Sequence, residues 1–325
     1  MHIFQDHTEL RTKNLEAAKS YLAIKDMERL ERWRCYSEYV RPMMDLRPPE
    51  QQKEPATSLE IQKAAEYFNA QNFPDWQFAN NVYFMTEDPN VVMVEGDGFG
   101  QFGDGSGEHR EHYLHYFRFF EGKIIRYREI GNGLHEMVER GIPVQAPDLT
   151  PLLTPFDTQP QCLSGYLAQN TNDPEERGKN LKTVWDYVGL CGRETVQRTA
   201  LYASECSYGL VHSHDEWTRI ARGTDKVKLV EQTLAEHFPD AYYEDIVVFQ
   251  CEDPGYFLVC ATGVGTCTGL TEVPVRVTAP IYHLFRLENG RIVENNLLAA
   301  PEHLLRAMGW KDPMEAMMEK KAWLM

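Results

Sequence analysis

The chain has 325 residues, 49 acidic against 33 basic, for a formal charge of −16 at pH 7. Such an acidic surface repels phosphate backbones and anionic lipid, which excludes nucleic acid or membrane as the main partner; the 42% hydrophobic content suffices for packed cores, which excludes wholesale disorder. No run of about 18 apolar residues is present and the polar start MHIFQDHTELRTKN lacks an apolar leader, so a cytoplasmic chain with no membrane span is expected.

At about 150 residues per domain the length predicts two domains. The sequence repeats itself. Phe73-Pro74-Asp75 recurs as Phe238-Pro239-Asp240, and Glu87-Asp88-Pro89 as Glu252-Asp253-Pro254. Phe117-Arg118 with Glu121-Gly122-Lys123-Ile124 recurs as Phe285-Arg286 with Asn289-Gly290-Arg291-Ile292. The offset is about 165 residues throughout, the mark of a tandem duplication. The expected division is a first domain over 1–148, a Pro/Asp/Thr-rich linker over 149–178 and a second domain over 179–325.

In chain order, NLEAAKSYLAIKDMERLERWRCY has apolar residues near helical spacing and predicts one helix. LRPPEQQKEPAT is a loop by composition, and SLEIQKAAEYFNAQ predicts a second helix, ended by the proline of FPDW. Strands are expected in FANNVYFMTE, VVMVEGDGFGQF, REHYLHYFRFFEG and KIIRYREIGN, with turns at DPN and EGK, before a closing helix GLHEMVERG. The second copy repeats this with helices in KTVWDYVGLCGRETVQRTALYA and DKVKLVEQTLAEH. Its strands lie around YEDIVVFQ, YFLVCATGVGTC, VRVTAPIYHLFRL and RIVENNLLAA. Helices followed by an antiparallel meander make an α+β fold, the sheet curled around the helices. The seven cysteines, an odd number without a CxxC pair, are read as thiols.

FPDWQFANNVYFMTEDPN, VEGDGFG, EHYLHYFRFFEGKIIRYREIGN and GIPV together resemble the phenazine-biosynthesis A/B proteins, of the SnoaL-like, nuclear-transport-factor-2-like superfamily. The resemblance covers most of residues 14–145 and is looser in the second copy. It implies two tandem cone-shaped α+β barrels, each with a cavity at its open end. It also implies paired domains, here an intramolecular pseudo-dimer that leaves the chain a monomer or weak homodimer. In that family the cavity hosts condensation of two amino-cyclohexenone carboxylates by acid/base residues with no cofactor. Glu129 in RYREIGN matches the family's glutamate. The family's histidine turn is replaced by Ser58-Leu59-Glu60 in the first copy and Gly223-Thr224-Asp225 in the second, and Leu297 stands where the second copy's glutamate would be.

Alternation puts Tyr127 and Glu129 on one strand face and Arg126 and Arg128 on the other. If the former lines a cavity, burial raises the Glu129 carboxyl toward a useful acid/base range, whereas an outer face pairs it with an arginine instead. His115, with its counterpart His283, is a candidate proton donor or substrate contact, and a structural role is expected for His112. Asp97, on the strand bent by Gly98 and Gly100, is a second acidic candidate. His212 and His214 in GLVHSHDEW share a strand face; they make a replacement acid/base pair, a metal site or a polar loop. Trp76, Tyr113 and Tyr127 are candidate stacking residues for a planar substrate, or core. Arg32 and Arg34 are candidates for a carboxylate clamp, or ion pairs. GDGFGQFGDGSG leads into a strand, not a helix, which argues against a phosphate loop. The expectation is a cyclase-, dehydratase- or isomerase-type enzyme of bacterial specialised metabolism, needing no metal or cofactor. Its substrate is a small cyclic, carboxylated molecule. A non-catalytic metabolite-binding protein and a metal enzyme centred on His212 and His214 are the alternatives.

Overall fold

A computed structural model describes residues 8–42, 59–131, 149–157, 173–210, 219–299 and 301–309. The first domain begins with helix α1 (Thr8–Ala23), a 3-10 helix (Asp26–Cys35), strand β1 (Tyr36–Pro42) and helix α2 (Leu59–Asn72). Strands β2 (Gln77–Met85), β3 (Val91–Gln101), β4 (Glu108–Phe120) and β5 (Lys123–Ile130) follow. A short helix α3 (Thr150–Leu153) precedes the second copy, which opens with α4 (Pro174–Gly189) and a 3-10 helix (Gly192–Leu201). Then come β6 (Tyr202–Leu210), β7 (Arg219–Arg222), α5 (Thr224–His237), β8 (Tyr242–Gln250), β9 (Tyr256–Cys267), β10 (Val275–Glu288), β11 (Arg291–Ala299) and α6 (Pro301–Ala307).

Each copy is one sheet wrapped on its helices. The strand orders are β1-β5-β4-β3-β2 and β7-β6-β11-β10-β9-β8. The expected meanders are present and antiparallel, but β1 pairs with β5, and β6 with β11, in parallel, so both sheets are mixed. Both closing hairpins turn through two residues of positive φ, Glu121 (52°) with Gly122 (79°) and Asn289 (50°) with Gly290 (77°). That is the turn whose twist matches paired strands. The single helix expected over residues 14–36 is broken. Lys25 is extended, Asp26 sits at φ 51°, and its N–H donates to Trp76 O at 3.1 Å. Gly192 repeats the break at φ 52°, donating to Ala241 O at 2.6 Å. Helix α4 starts at Pro174, inside the segment expected to be linker, because Asp173 accepts from the N–H groups of Glu175 and Glu176, both at 3.0 Å, and proline suits the first turn. The GLHEMVERG helix lies outside the described residues.

The outer faces of the two sheets pack together. Val91, Met93, Leu114 and Tyr116 of the first share one buried cluster with Tyr256, Leu258, Tyr282 and Leu284 of the second. A bridge between Thr86 and Cys251 marks the centre, and Glu87 and Gln250, like Glu252 and Met85, join across it by backbone hydrogen bonds of 2.9 and 2.7 Å. Arg11 donates to Thr86 O and Glu87 O, and Arg177 donates to Cys251 O and Glu252 O, both at 2.6 Å. The same arginine braces the same turn in each copy, as a pseudo-twofold requires. Among the described residues no helix is long and apolar enough to cross a membrane.

Candidate functional site

The sheet register matches the copies position by position. Glu129 faces His115 on β4 as Leu297 faces His283 on β10, and Tyr127 faces Phe117 as Asn295 faces Phe285. Phe78 sits opposite Gly98 as Tyr243 sits opposite Gly263. Each copy is therefore an internal control for the other.

On the inner face of the first sheet, Tyr127 Oη donates to Glu129 Oε2 at 2.7 Å and lies 2.8 Å from His115 Nδ1. With the phenol hydrogen committed to the carboxylate, the network assigns the histidine proton to Nδ1, leaving Nε2 as an acceptor. That Nε2 is buried with no hydrogen-bond partner. In the second copy both nitrogens of His283 are engaged, Nδ1 with Asn295 Oδ1 at 2.9 Å and Nε2 with Tyr243 Oη at 3.0 Å. Phe78, replacing Tyr243, packs edge-on to His115 at 4.7 Å and removes that partner.

Burial raises the Glu129 carboxyl above the ordinary glutamate range, against the opposing pull of the Tyr127 hydrogen bond and the Arg29 and Arg32 charges. Its side chain still keeps 31% of its surface open, while His115 keeps none. Burial, helped by the Arg32 and His112 charges, lowers His115 to about 3, so its imidazole is neutral at physiological pH. Tyr127 is pushed well up, by burial first and Glu129 second, and stays a phenol. Behind them Tyr21 Oη meets Tyr36 Oη at 2.9 Å and donates to Glu66 at 3.1 Å.

Two arginines come from the 3-10 helix. Arg32 is 1% exposed, donates to Ile24 O and stacks over Tyr21 at 4.9 Å and Phe78 at 5.3 Å. Arg29 is 4% exposed, and its Nε and Nη1 make no hydrogen bond. A buried guanidinium with idle donors is costly unless an anion meets it, and the sequence reading passed over this residue. The signal was present: Arg32 repeats as Arg198, but Arg29 becomes Thr195. Arg34 is 67% exposed and pairs with Glu31, so it is no clamp.

The remaining candidates divide. Asp97 is corrected: it shares the outer face of β3 with Val91 and Met93, opposite His112, and points away from Glu129. There it meets His112 Nδ1 at 3.0 Å, while Glu95 takes Nε2 at 2.9 Å. Burial lifts Asp97, but the His112 and Asn80 hydrogen bonds and the nearby charges outweigh it and hold the carboxyl below its usual range. Trp76 is 3% exposed, stacked on His109 at 5.6 Å and edge-on to Tyr113 at 5.9 Å, so it fills the interior and offers no open face. Tyr113 stacks on His115 at 5.7 Å. His283 has no nitrogen left for a substrate. His212 and His214 lie outside the described residues, and among the described residues no group of three or more His, Cys, Asp or Glu is arranged to hold a metal ion.

Two α+β units, the second repeating the five-strand order of the first with β7 added at one edge, define a tandem of one duplicated domain. The profile of the family described as Phenazine biosynthesis protein A/B matches residues 1–150 and again 163–316, so the chain belongs to that family. It is 33% identical over 144 residues to phenazine biosynthesis protein PhzB of Pseudomonas fluorescens, covering 43% of this chain and 87% of the relative. To phenazine biosynthesis protein PhzA2 of Pseudomonas aeruginosa it is 33% identical over 150 residues, 46% of this chain and 90% of the relative. Each relative aligns nearly whole to under half of this chain, as a duplicated unit requires. The crystal structure of a phenazine biosynthesis-related protein (phzb2) from Pseudomonas aeruginosa superposes with a TM-score of 0.41 at 28% identity, covering 45% of this chain and 90% of that one.

Proposed function

We propose that the first domain is a cofactor-free acid/base site for a small cyclic, carboxylated intermediate of specialised metabolism. Its reaction is of the condensation, cyclisation, dehydration or isomerisation type. The names of the relatives, phenazine biosynthesis proteins, support the metabolic setting. The observation that carries the reading is the chain Glu129–Tyr127–His115, present in one copy and dismantled in the other. Glu129, partly open and raised by burial, takes a proton from a carbon or nitrogen of the substrate and returns it elsewhere. Tyr127 holds the carboxylate in place by its hydrogen bond, and neutral His115 holds Tyr127. Arg29, with two idle donors, meets the substrate carboxylate. Exclusion of water by the bound substrate itself would protect imine-type intermediates from hydrolysis.

The test is a split between binding and turnover. Isothermal titration with 3-oxocyclohexane-1-carboxylate is expected to give saturable binding that Glu129→Gln retains and Arg29→Met weakens by about tenfold or more. Turnover in Glu129→Gln is expected to fall by about 10²–10⁴-fold, the usual share of general acid–base catalysis. Binding unchanged in a folded Arg29→Met would remove the carboxylate from this reading.

A further inference from the structure

The second domain has lost more than its acid/base pair. By sheet register, Trp76, His109, Glu111 and Tyr113 of the first domain correspond to Ala241, Val277, Ala279 and Ile281. Four large or polar side chains become small or aliphatic, and a cavity of about 230 Å³ opens where the first domain is filled. The segment between the copies takes part. Leu152, Leu153 and Phe156 line the cavity, held there by Asp157 N donating to Ile220 O at 3.2 Å and by the ion pair of Lys226 with Asp157.

Charge has been removed along with bulk. Glu129 is matched by Leu297 and Arg29 by Thr195, both on the cavity wall. The arginine left there, Arg198, is spent: it donates to Tyr187 O at 3.0 Å and Leu190 O at 2.5 Å and sits 3.6 Å from Glu231. Tyr243 on the wall is taken by His283. Tyr208, 1% exposed and also on the wall, makes no hydrogen bond among the described residues. An anion entering here loses its water and finds no free cation among the described residues, whereas an apolar ring gains by leaving water. An apolar cavity of roughly 150 Å³ is enough for benzene; the larger space here suits a fused bicyclic ring.

We propose that the second domain is a separate binding site, without proton-transfer function, for an uncharged, mainly apolar ring compound whose single hydroxyl or carbonyl meets Tyr208. The site stands independently of the reaction assigned to the first domain. Its occupant has a different chemistry from a carboxylated substrate.

Titration of the full chain with 2-naphthol and 2-naphthoate, followed by calorimetry, tests it. One equivalent of 2-naphthol is expected to bind; in the Arg29→Met chain, where the first domain's carboxylate partner is gone, 2-naphthoate is expected to bind at least tenfold more weakly. Ala241→Trp, which restores the first domain's side chain, is expected to abolish the 2-naphthol binding. Tyr208→Phe, a change too small to endanger folding, is expected to weaken it about fivefold, and Arg29→Met to leave it unchanged. Equal affinity for the naphthoate in the Arg29→Met chain, undiminished 2-naphthol binding in folded Ala241→Trp or in Tyr208→Phe, or no saturable binding to the folded full chain would each overturn the proposal. The last result would mean that the cavity is closed to ligands, for example by the chain's own residues.

Discussion

Tyr127 bridges a neutral histidine and a carboxyl that burial has made reluctant to ionise. Its hydrogen bond favours the carboxylate, so it opposes the burial that raises Glu129. If Glu129 removes the proton as a carboxylate, the rate climbs as pH rises through a Glu129 pKa above the ordinary range. Tyr127→Phe should shift that climb to still higher pH, and a pH–kcat profile reads it. Phe78→Tyr is expected to give His115 Nε2 the hydroxyl that His283 already has, raising stability by about 1 kcal/mol in denaturant unfolding. Strand alternation alone put Tyr127 and Glu129 on one face and the two arginines on the other. Asp97 was misread because the glycine bend was weighed above the alternation of Val92 and Val94 inward against Val91 and Met93 outward. Arg29 was passed over because ten residues of 3-10 helix were expected to follow α-helical spacing, although its replacement by Thr195 beside the kept Arg32/Arg198 pair marked it.

At the scale of elements, the meander strands and both FPD-containing turns were legible from apolar alternation and turn residues. The strands β1 and β6 were harder to read, since a parallel partner about 90 residues away leaves no local pattern. Helix breaks at Asp26 and Gly192 were equally hidden, because each is fixed by a backbone bond to a distant residue. The turn braces show how such elements are held. Arg177 is 5% exposed and its guanidinium serves Cys251 O and Glu252 O. Arg177→Met should leave those carbonyls without that donor and cost about 2–4 kcal/mol, measured as a lower denaturant midpoint with an unchanged slope. Arg11→Met should act alike, since it serves the matching turn.

Across the whole molecule, one copy carries the Glu129–Tyr127–His115 chain and the other an apolar cavity at the matching place, around a shared interface. His115 and its counterpart His283 are both kept and buried, and they couple folding to pH. Each is held at about 3 when folded, against about 6.5 in an unfolded chain. The unfolded state therefore takes up protons first, so their contribution is complete above pH 6.5 and is lost as pH falls through that window toward 3. For each histidine the loss is on the order of 3–5 kcal/mol. A His283→Gln chain should show a shallower fall of Tm between pH 6.5 and 4 than the native chain. The division of labour itself is tested most directly by deuterium wash-in. With 3-oxocyclohexane-1-carboxylate in heavy water, NMR should show the native chain exchanging the protons beside the ketone faster than buffer. Glu129→Gln should lose about 10²-fold or more of that rate, and Leu297→Ala should keep it. Exchange at the native rate in Glu129→Gln, or none above buffer by a chain that binds the probe, would contradict a proton-transfer site in the first domain.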